Sequence, residues 1–308
     1  MNPETKPTAS RGRVVAAFAA IYVFWGATFL AIRYAVAELP PLLMIAIRCA
    51  GGSAVLYAWL WFQSWRSGKQ PERATAAQWK VAALASVFLF VGCHGVLAWA
   101  EQRVSSGQAA LFLTSIPLSL VLLTAALERR APSVRVLVGL ALGTLGIAVL
   151  TLGSGAWSGT LVDRLALVGS GVSWAVGSVI ALRGARPESA VLSTAMQLAA
   201  GSVAVGLFST AFGELGGAPF AALTSRGLTA LAFLILCGTA LGLAAFTWLL
   251  RVSTPAAVGT YAFVNPLIAL LLAWAVGDEV VTGRTLLAAA LVVGAVMLTR
   301  ERRAGKSS

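Results

Sequence analysis

The two halves of this 308-residue chain match each other at one offset, and each half carries five apolar spans. A shift of 149 positions lays Trp25 on Trp174, Gly52 on Gly201, Trp99 on Trp248 and Pro117-Leu118 on Pro266-Leu267. Tryptophan is 10 of 308 residues, so two Trp-on-Trp matches at one offset are not a product of composition. One deletion then brings Gly146-Ile-Ala-Val-Leu-Thr151 onto Gly294-Ala-Val-Met-Leu-Thr299. Five is an odd number. A five-span unit repeated in one membrane enters it the second time in the opposite orientation, and inverted repeats around a midplane site belong to secondary transporters.

The spans are membrane spans because nothing soluble has this composition. The chain is 58% hydrophobic and 11% charged, with a mean hydropathy of +0.85, against about a quarter charged in soluble domains. About 20 apolar residues as a helix cross the hydrocarbon layer. The runs 14–33, 41–62, 80–99, 104–127, 134–152, 165–183, 189–212, 227–250, 254–276 and 284–300 are predicted as such helices. They lack the alternation of apolar and polar residues that a membrane β-barrel needs. The fold class is therefore an all-α polytopic membrane protein of ten transmembrane helices in two inverted five-helix repeats. Residues 14–152 form the first and 165–300 the second, with tails at 1–13 and 301–308. Arg11, Arg13 and Ala35-Val-Ala37 give the first span some look of a cleaved signal, but its apolar stretch is too long for one and Trp25 has its repeat partner. We expect it to stay.

A net charge of +12 raises a nucleic-acid partner, which the placement of the charges argues against. With the N-terminus in the cytoplasm, 17 of the 23 Lys and Arg fall on that side, five fall outside and Arg48 lies within a span. This is the positive-inside bias, and it predicts both termini in the cytoplasm. The partners expected are the lipid bilayer and a small-molecule substrate, with the proton as candidate coupling ion. No nucleic acid, cofactor or metal is expected. Cys49, Cys93 and Cys237 lie in apolar spans without a CxxC pair and read as small buried hydrophobes. Gly139-Leu-Ala-Leu-Gly143 is a GxxxG that favours packing within the molecule over a dimer, so a monomer is favoured.

Polar groups inside the spans are few. Arg48 is the costliest, about seven residues into the second span, or ~10 Å deep. A central Arg costs about 2.5–3.5 kcal/mol on insertion scales, so a partner is expected. Glu101, near the end of the third span, is one candidate and a substrate anion another. The repeat sets neutral Gln197 against Arg48. His94, the single histidine, is either a hydrogen-bonded core residue or, with Glu101, a proton-coupling group. Trp25 and Trp174 lie too deep for an interfacial belt. With Tyr22, Tyr261, Gln102 and Asn265 they suggest an apolar pocket with a few polar anchors. Pro117 and Pro266 sit mid-span in equivalent helices, where each removes a backbone hydrogen bond and favours a kink. No HExxH, Walker A or EF-hand loop is present, so an enzyme is not expected, an intramembrane one being a remote alternative.

Five segments carry a family resemblance. They are Tyr22-Val-Phe-Trp-Gly-Ala-Thr-Phe-Leu-Ala-Ile-Arg33, Pro40-Pro-Leu-Leu-Met-Ile-Ala-Ile-Arg48, Ala100-Glu-Gln-Arg-Val-Ser-Ser-Gly107, Val172-Ser-Trp-Ala-Val-Gly-Ser178 and Ser253-Thr-Pro-Ala-Ala-Val-Gly-Thr-Tyr-Ala-Phe-Val-Asn-Pro266. With Pro117-Leu118 they resemble the EamA family of the drug/metabolite transporter superfamily, and within it exporters of the YedA type. The resemblance implies spans 1, 3, 4, 6, 8 and 9 around a central cavity, with 5 and 10 to one side. It implies export of amino acids, drugs or metabolites across the bacterial inner membrane. It also implies an end-of-helix role for Glu128 and its repeat counterpart Glu279. Import, or facilitation without an ion, is the alternative; substrate, direction and coupling ion stay open.

Overall fold

The computed structural model describes residues 10–70, 72–101, 103–104, 112–113, 115–151, 159–217, 223–275 and 283–299. Among them every regular element is helical. α1 is Arg11–Val36, α2 Pro41–Ser67 and α3 Ala76–Ser86. A π-helical segment, Val87–Gly95, continues α3 into α4, Val96–Glu101. α5 is Ser115–Glu128, α6 Val134–Thr151, α7 Leu161–Arg183 and α8 Ala190–Ala211. α9, Ser225–Phe233, passes through a second π segment, Leu234–Leu241, into α10, Gly242–Val252. α11 is Pro255–Gly259, α12 Tyr261–Ala275 and α13 Gly283–Thr299.

Six helical rods are long and apolar enough to cross a membrane: Arg11–Val36, Pro41–Ser67, Ala76–Ala100, Leu161–Arg183, Ala190–Ala211 and Ser225–Val252. The other four predicted spans hold shorter apolar helices, three of them next to residues 105–111, 152–158 and 276–282, which lie outside the described residues. The outward faces are apolar: Trp65, Phe212, Leu207 and Leu286 are all more than 60% exposed. Helices that are hydrophobic all round are made for lipid or a protein core, not for water. Hydroxyl side chains start the rods. Thr75 and Thr160 form capping boxes with Gln78 and Asp163, and Ser189, Thr224 and Thr254 each accept from a backbone N–H three residues on. Gly68, at φ +66°, ends α2 in the left-handed conformation a glycine adopts without strain.

Packing between the halves is reciprocal. α1 lies on α12 and on the α9–α10 rod, while α7, the repeat counterpart of α1, lies on α5 and on the α3–α4 rod. α2 packs on its own counterpart α8, and α6 on its counterpart α13. Glycines at equivalent positions set the close approaches. A Cβ on Gly52 would sit 2.7 Å from Thr239 Cγ2, and one on Gly201 would collide with the Phe90 ring. Positions 52 and 201, like 90 and 239, are 149 apart. Gly143 of the GxxxG faces Phe263 inside the molecule. Acidic side chains add a second reciprocity. Glu214 accepts from Leu42 N and Leu43 N (3.3 and 2.8 Å) at the start of α2, and Glu72 accepts from Glu188 N and Ser189 N (2.8 and 3.0 Å) at the start of α8. Each half's acid thus holds the other half's helix N-terminus, where a negative charge is favoured. The two ends of the bundle are called here the Asp163 end and the Glu128 end.

Three boundaries differ from the predicted spans. α2 runs on to Ser67, carried by the exposed aromatics Trp61, Phe62 and Trp65 that lipid accommodates. Val104, predicted to open the fourth span, instead closes a turn after the third, its N–H donating to Ala100 O at 2.9 Å. The ninth span divides at Thr260. There Thr260 N turns to Ala257 O at 3.3 Å, and the threonine hydroxyl also takes that carbonyl at 2.6 Å.

Candidate substrate cavity

Four aromatic rings meet at the centre of the bundle. Trp25 of α1 touches Trp174 of α7 edge-on (centroids 5.8 Å apart), Tyr261 of α12 (4.7 Å) and Phe246 of α10 (5.3 Å). Phe246 also contacts Trp174 and Tyr261. Trp174, Phe246 and Tyr261 are each at most 5% exposed. Trp25 and Trp174 are repeat counterparts, so the pseudo-symmetric halves meet on this pair. The indole of Trp25 is fixed: Nε1 donates to Gly238 O at 2.8 Å, a carbonyl of the second π segment. Trp174 Nε1 is buried without a hydrogen-bond partner.

Three of these rings, Trp25, Trp174 and Tyr261, line a cavity of about 120 Å³ whose walls also include Thr28, Ile32, Arg48, Phe90, Cys93, His94, Thr239 and Asn265. Both π segments line it. The first supplies Phe90, Cys93 and His94, the second Gly238 and Thr239. A π turn widens the helix and re-aims its side chains, which is why such turns recur at functional sites. Arg48 is 8% exposed, and its Nε donates to Thr239 Oγ1 at 3.1 Å. Among the described residues no carboxylate comes within ion-pair distance of it; the ion pairs there are Arg103–Asp163 and Arg183–Glu128. His94 Nδ1 faces Leu89 O at 2.9 Å. A carbonyl only accepts, so Nδ1 carries a proton. Asn265 lies beside Pro266, inside α12, with its amide nitrogen 3.2 Å from Tyr22 O and 3.1 Å from Tyr261 O, so that it ties α12 to α1.

Of the predicted site residues, Trp25, Arg48, His94, Trp174, Tyr261 and Asn265 come together around this cavity. Two lie apart. Tyr22 hydrogen-bonds through Oη to Thr260 Oγ1 at 2.6 Å, bracing the break in the ninth span. Gln197 donates to Ser193 Oγ at 3.2 Å. Gln102 and the Glu101 side chain lie outside the described residues. Pro117 packs against Gly259, where an added Cβ would stand 2.8 Å from the ring. Glu128 pairs with Arg183 at 3.0 Å at the end of its helix, and Glu279 is outside the described residues. The second span joins the predicted wall through Ile45, Arg48 and Cys49, while α6 and α13 stay off the cavity among the described residues. Sequence reasoning missed Thr28, Thr239, Phe90 and Phe246. The repeat carried a signal for some of them, because Thr239 is the counterpart of Phe90 and both line the cavity, while Phe246, the counterpart of the cavity-lining Leu97, packs against Trp25, Trp174 and Tyr261.

The cavity has a mirror image toward the Glu128 end. A space of about 10 Å³ there is lined by Leu89, Ala181, Gln197 and Phe246, among others. These are the counterparts of Gly238, Ile32, Arg48 and Leu97 in the larger cavity. Leu89 fills the place that Gly238 leaves open, and Phe246 is larger than Leu97.

A helical bundle with an aromatic chamber between two reciprocal halves has the architecture of a membrane carrier, and the chain belongs to the EamA-like transporter family. The family model matches it twice, over residues 12–152 and 164–300. Among its relatives is the Uncharacterized inner membrane transporter YedA of Escherichia coli (strain K12), 32% identical over 281 residues, 91% of this chain and 88% of that protein. The Uncharacterized transporter YoaV of Bacillus subtilis (strain 168) is 22% identical over 91% of this chain and 94% of its own. A solved crystal structure superposes with a TM-score of 0.74 at 22% identity, covering 94% of this chain and 96% of that one; it shares the fold.

Proposed function

We propose that this protein is a secondary exporter of small amphipathic metabolites in the bacterial inner membrane, with ten spans in two inverted repeats and both termini in the cytoplasm. The Asp163 end then faces outward and the Glu128 end the cytoplasm. The observation that carries the reading is the pair of mirrored chambers. Equivalent positions line both, and one is open at about 120 Å³ while the other is nearly closed at about 10 Å³. Exchanging the conformations of the two halves closes the first and opens the second, which is alternating access around one site. The aromatic floor holds the apolar part of a substrate. Arg48, His94 and Asn265 supply polar anchors, and Gln102 and Gln197 belong to the same set as the path turns inward. The chemistry of this proposal is binding and release, not bond making. His94 and Glu101 are the groups through which a proton gradient would act.

The test is counterflow in proteoliposomes with a panel of labelled amino acids, organic acids and amines, with and without a pH gradient. Saturable exchange by the native protein, lost in Trp25→Ala and Asn265→Ala, is the expected result. Exchange that is unchanged in both variants removes the cavity as the site. Absence of exchange for every member of the panel removes the exporter reading.

A further inference from the structure

The cavity is rich in donors, and no acid lines it among the described residues. Arg48 spends Nε on Thr239 and presents the rest of its guanidinium to the chamber with no partner among the described residues. Tyr261 adds a hydroxyl on the floor. Arg48 needs compensation, since a charged side chain taken from water without a counter-charge is costly, and a carboxylate matches its fork in two parallel hydrogen bonds. By contrast, an ammonium group on a ligand would meet a like charge and find no carboxylate among the described residues that line the cavity. Three rings that line the cavity, Trp25, Trp174 and Tyr261, offer a surface for an aromatic or aliphatic body.

We propose that the cavity selects organic monocarboxylates with an apolar body, the carboxylate on Arg48 and the body on Trp25, Trp174 and Tyr261. This rests on the proposed carrier function and names its substrate class: acids rather than organic cations, with an α-amino group working against binding.

The purified full-length protein in detergent is titrated with four probes that share a phenyl body: 3-phenylpropionate, phenylalanine, phenethylamine and 3-phenylpropionamide. We expect 3-phenylpropionate to bind at least about tenfold more tightly than phenylalanine or the amide, and phenethylamine not to compete, because one charge-assisted pair separates them. Arg48→Gln is expected to abolish the preference of acid over amide, and Arg48→Lys to restore part of it. Arg48→Lys keeps the charge and loses the planar fork. It is expected to weaken acid binding about three- to tenfold with little effect on the amide, so the test does not depend on Arg48→Gln folding. Phenethylamine binding as well as the acid overturns the substrate class and leaves the cavity as a binding site. So does an acid preference that survives Arg48→Gln. Absence of binding by all four probes overturns the inference as a whole; counterflow with the wider panel still judges the carrier reading separately.

Discussion

At the scale of single residues, the polar contacts that lock the loops were the least legible. Arg48, Trp25 and Trp174 stood out in the sequence because charge and indole are rare at mid-span. Glu38, Glu72 and Glu214 did not, because an acid in a loop has no period and no partner visible in one chain. Glu38 accepts from the N–H and hydroxyl of Thr224 at 2.8 and 2.6 Å, and these bonds, the hydroxyl first, hold its carboxyl below the usual value of 4.5. A depressed folded pKa adds stability that is present above the unfolded value and is lost as pH falls through the folded one. Acidifying from about pH 5 to about pH 3 should therefore lower the melting temperature of the native protein more than that of Glu38→Gln. Equal slopes in a thermal unfolding series would show that this contact does nothing for stability. Gly227 is part of the same lock, since a Cβ there would strike the Glu38 carboxylate. Gly227→Ala should remove the extra pH dependence without touching either hydrogen-bonding residue.

At the scale of helices, apolar runs and hydroxyl caps were readable, and the π segments were not. Val87–Gly95 and Leu234–Leu241 look in sequence like the apolar helix around them. Their widened turns depend on packing, on a ring edge at Gly201 and on an indole bonded to Gly238 O. The fourth span was misjudged at its start and the ninth was read as unbroken, because hydropathy does not register where a turn or a threonine diverts the backbone. Two elements can be tested. Gly201→Leu drives a side chain into Phe90 and should destabilise by about 1–3 kcal/mol, the usual scale for overpacking. Gly206→Leu on the same helix, where the nearest atom to an added Cβ is 4.0 Å away, should cost much less. A comparison of melting temperatures decides between a tight seam and a tolerant one. Glu214→Ala and Glu72→Ala each unpin a helix N-terminus and should each cost about 1–2 kcal/mol. A variant pair in which neither lowers stability would mean that water serves those N–H groups equally well.

At the scale of the whole molecule, the offset of 149 carried most of the information. It put Trp25 and Trp174 at equivalent positions, and the structure brings them into contact; the packing of α2 on α8 and of α6 on α13 was not read from it. It did not anticipate that the two chambers would differ in size, because that depends on which half is bent which way and on bulk at single positions such as Gly238 and Leu89. The proposed exchange of conformations predicts changing exposure at the closed chamber. In a background lacking Cys49, Cys93 and Cys237, Ala181→Cys should react slowly with a membrane-impermeant thiol reagent in the resting protein and faster during turnover. Ile32→Cys, its counterpart in the open chamber, should change in the opposite sense. If Ala181→Cys stays unreactive under every condition, the small chamber is ordinary packing and the route inward lies elsewhere.

Under the proposed alternating access, Arg48, which has no counter-ion among the described residues, has an electrical consequence. A water-filled chamber conducts, so the membrane voltage falls mainly across whichever half of the protein is closed. With the outer chamber open, Arg48 sits on the conducting side and feels little of the drop. Once the halves have exchanged, the drop lies across the segment that contains it. Reorienting the empty carrier then moves a positive charge through part of the field, at about 2.3 kcal/mol per full charge per 100 mV. A carrier loaded with a carboxylate crosses almost uncharged, so the membrane potential would bias only the empty return step.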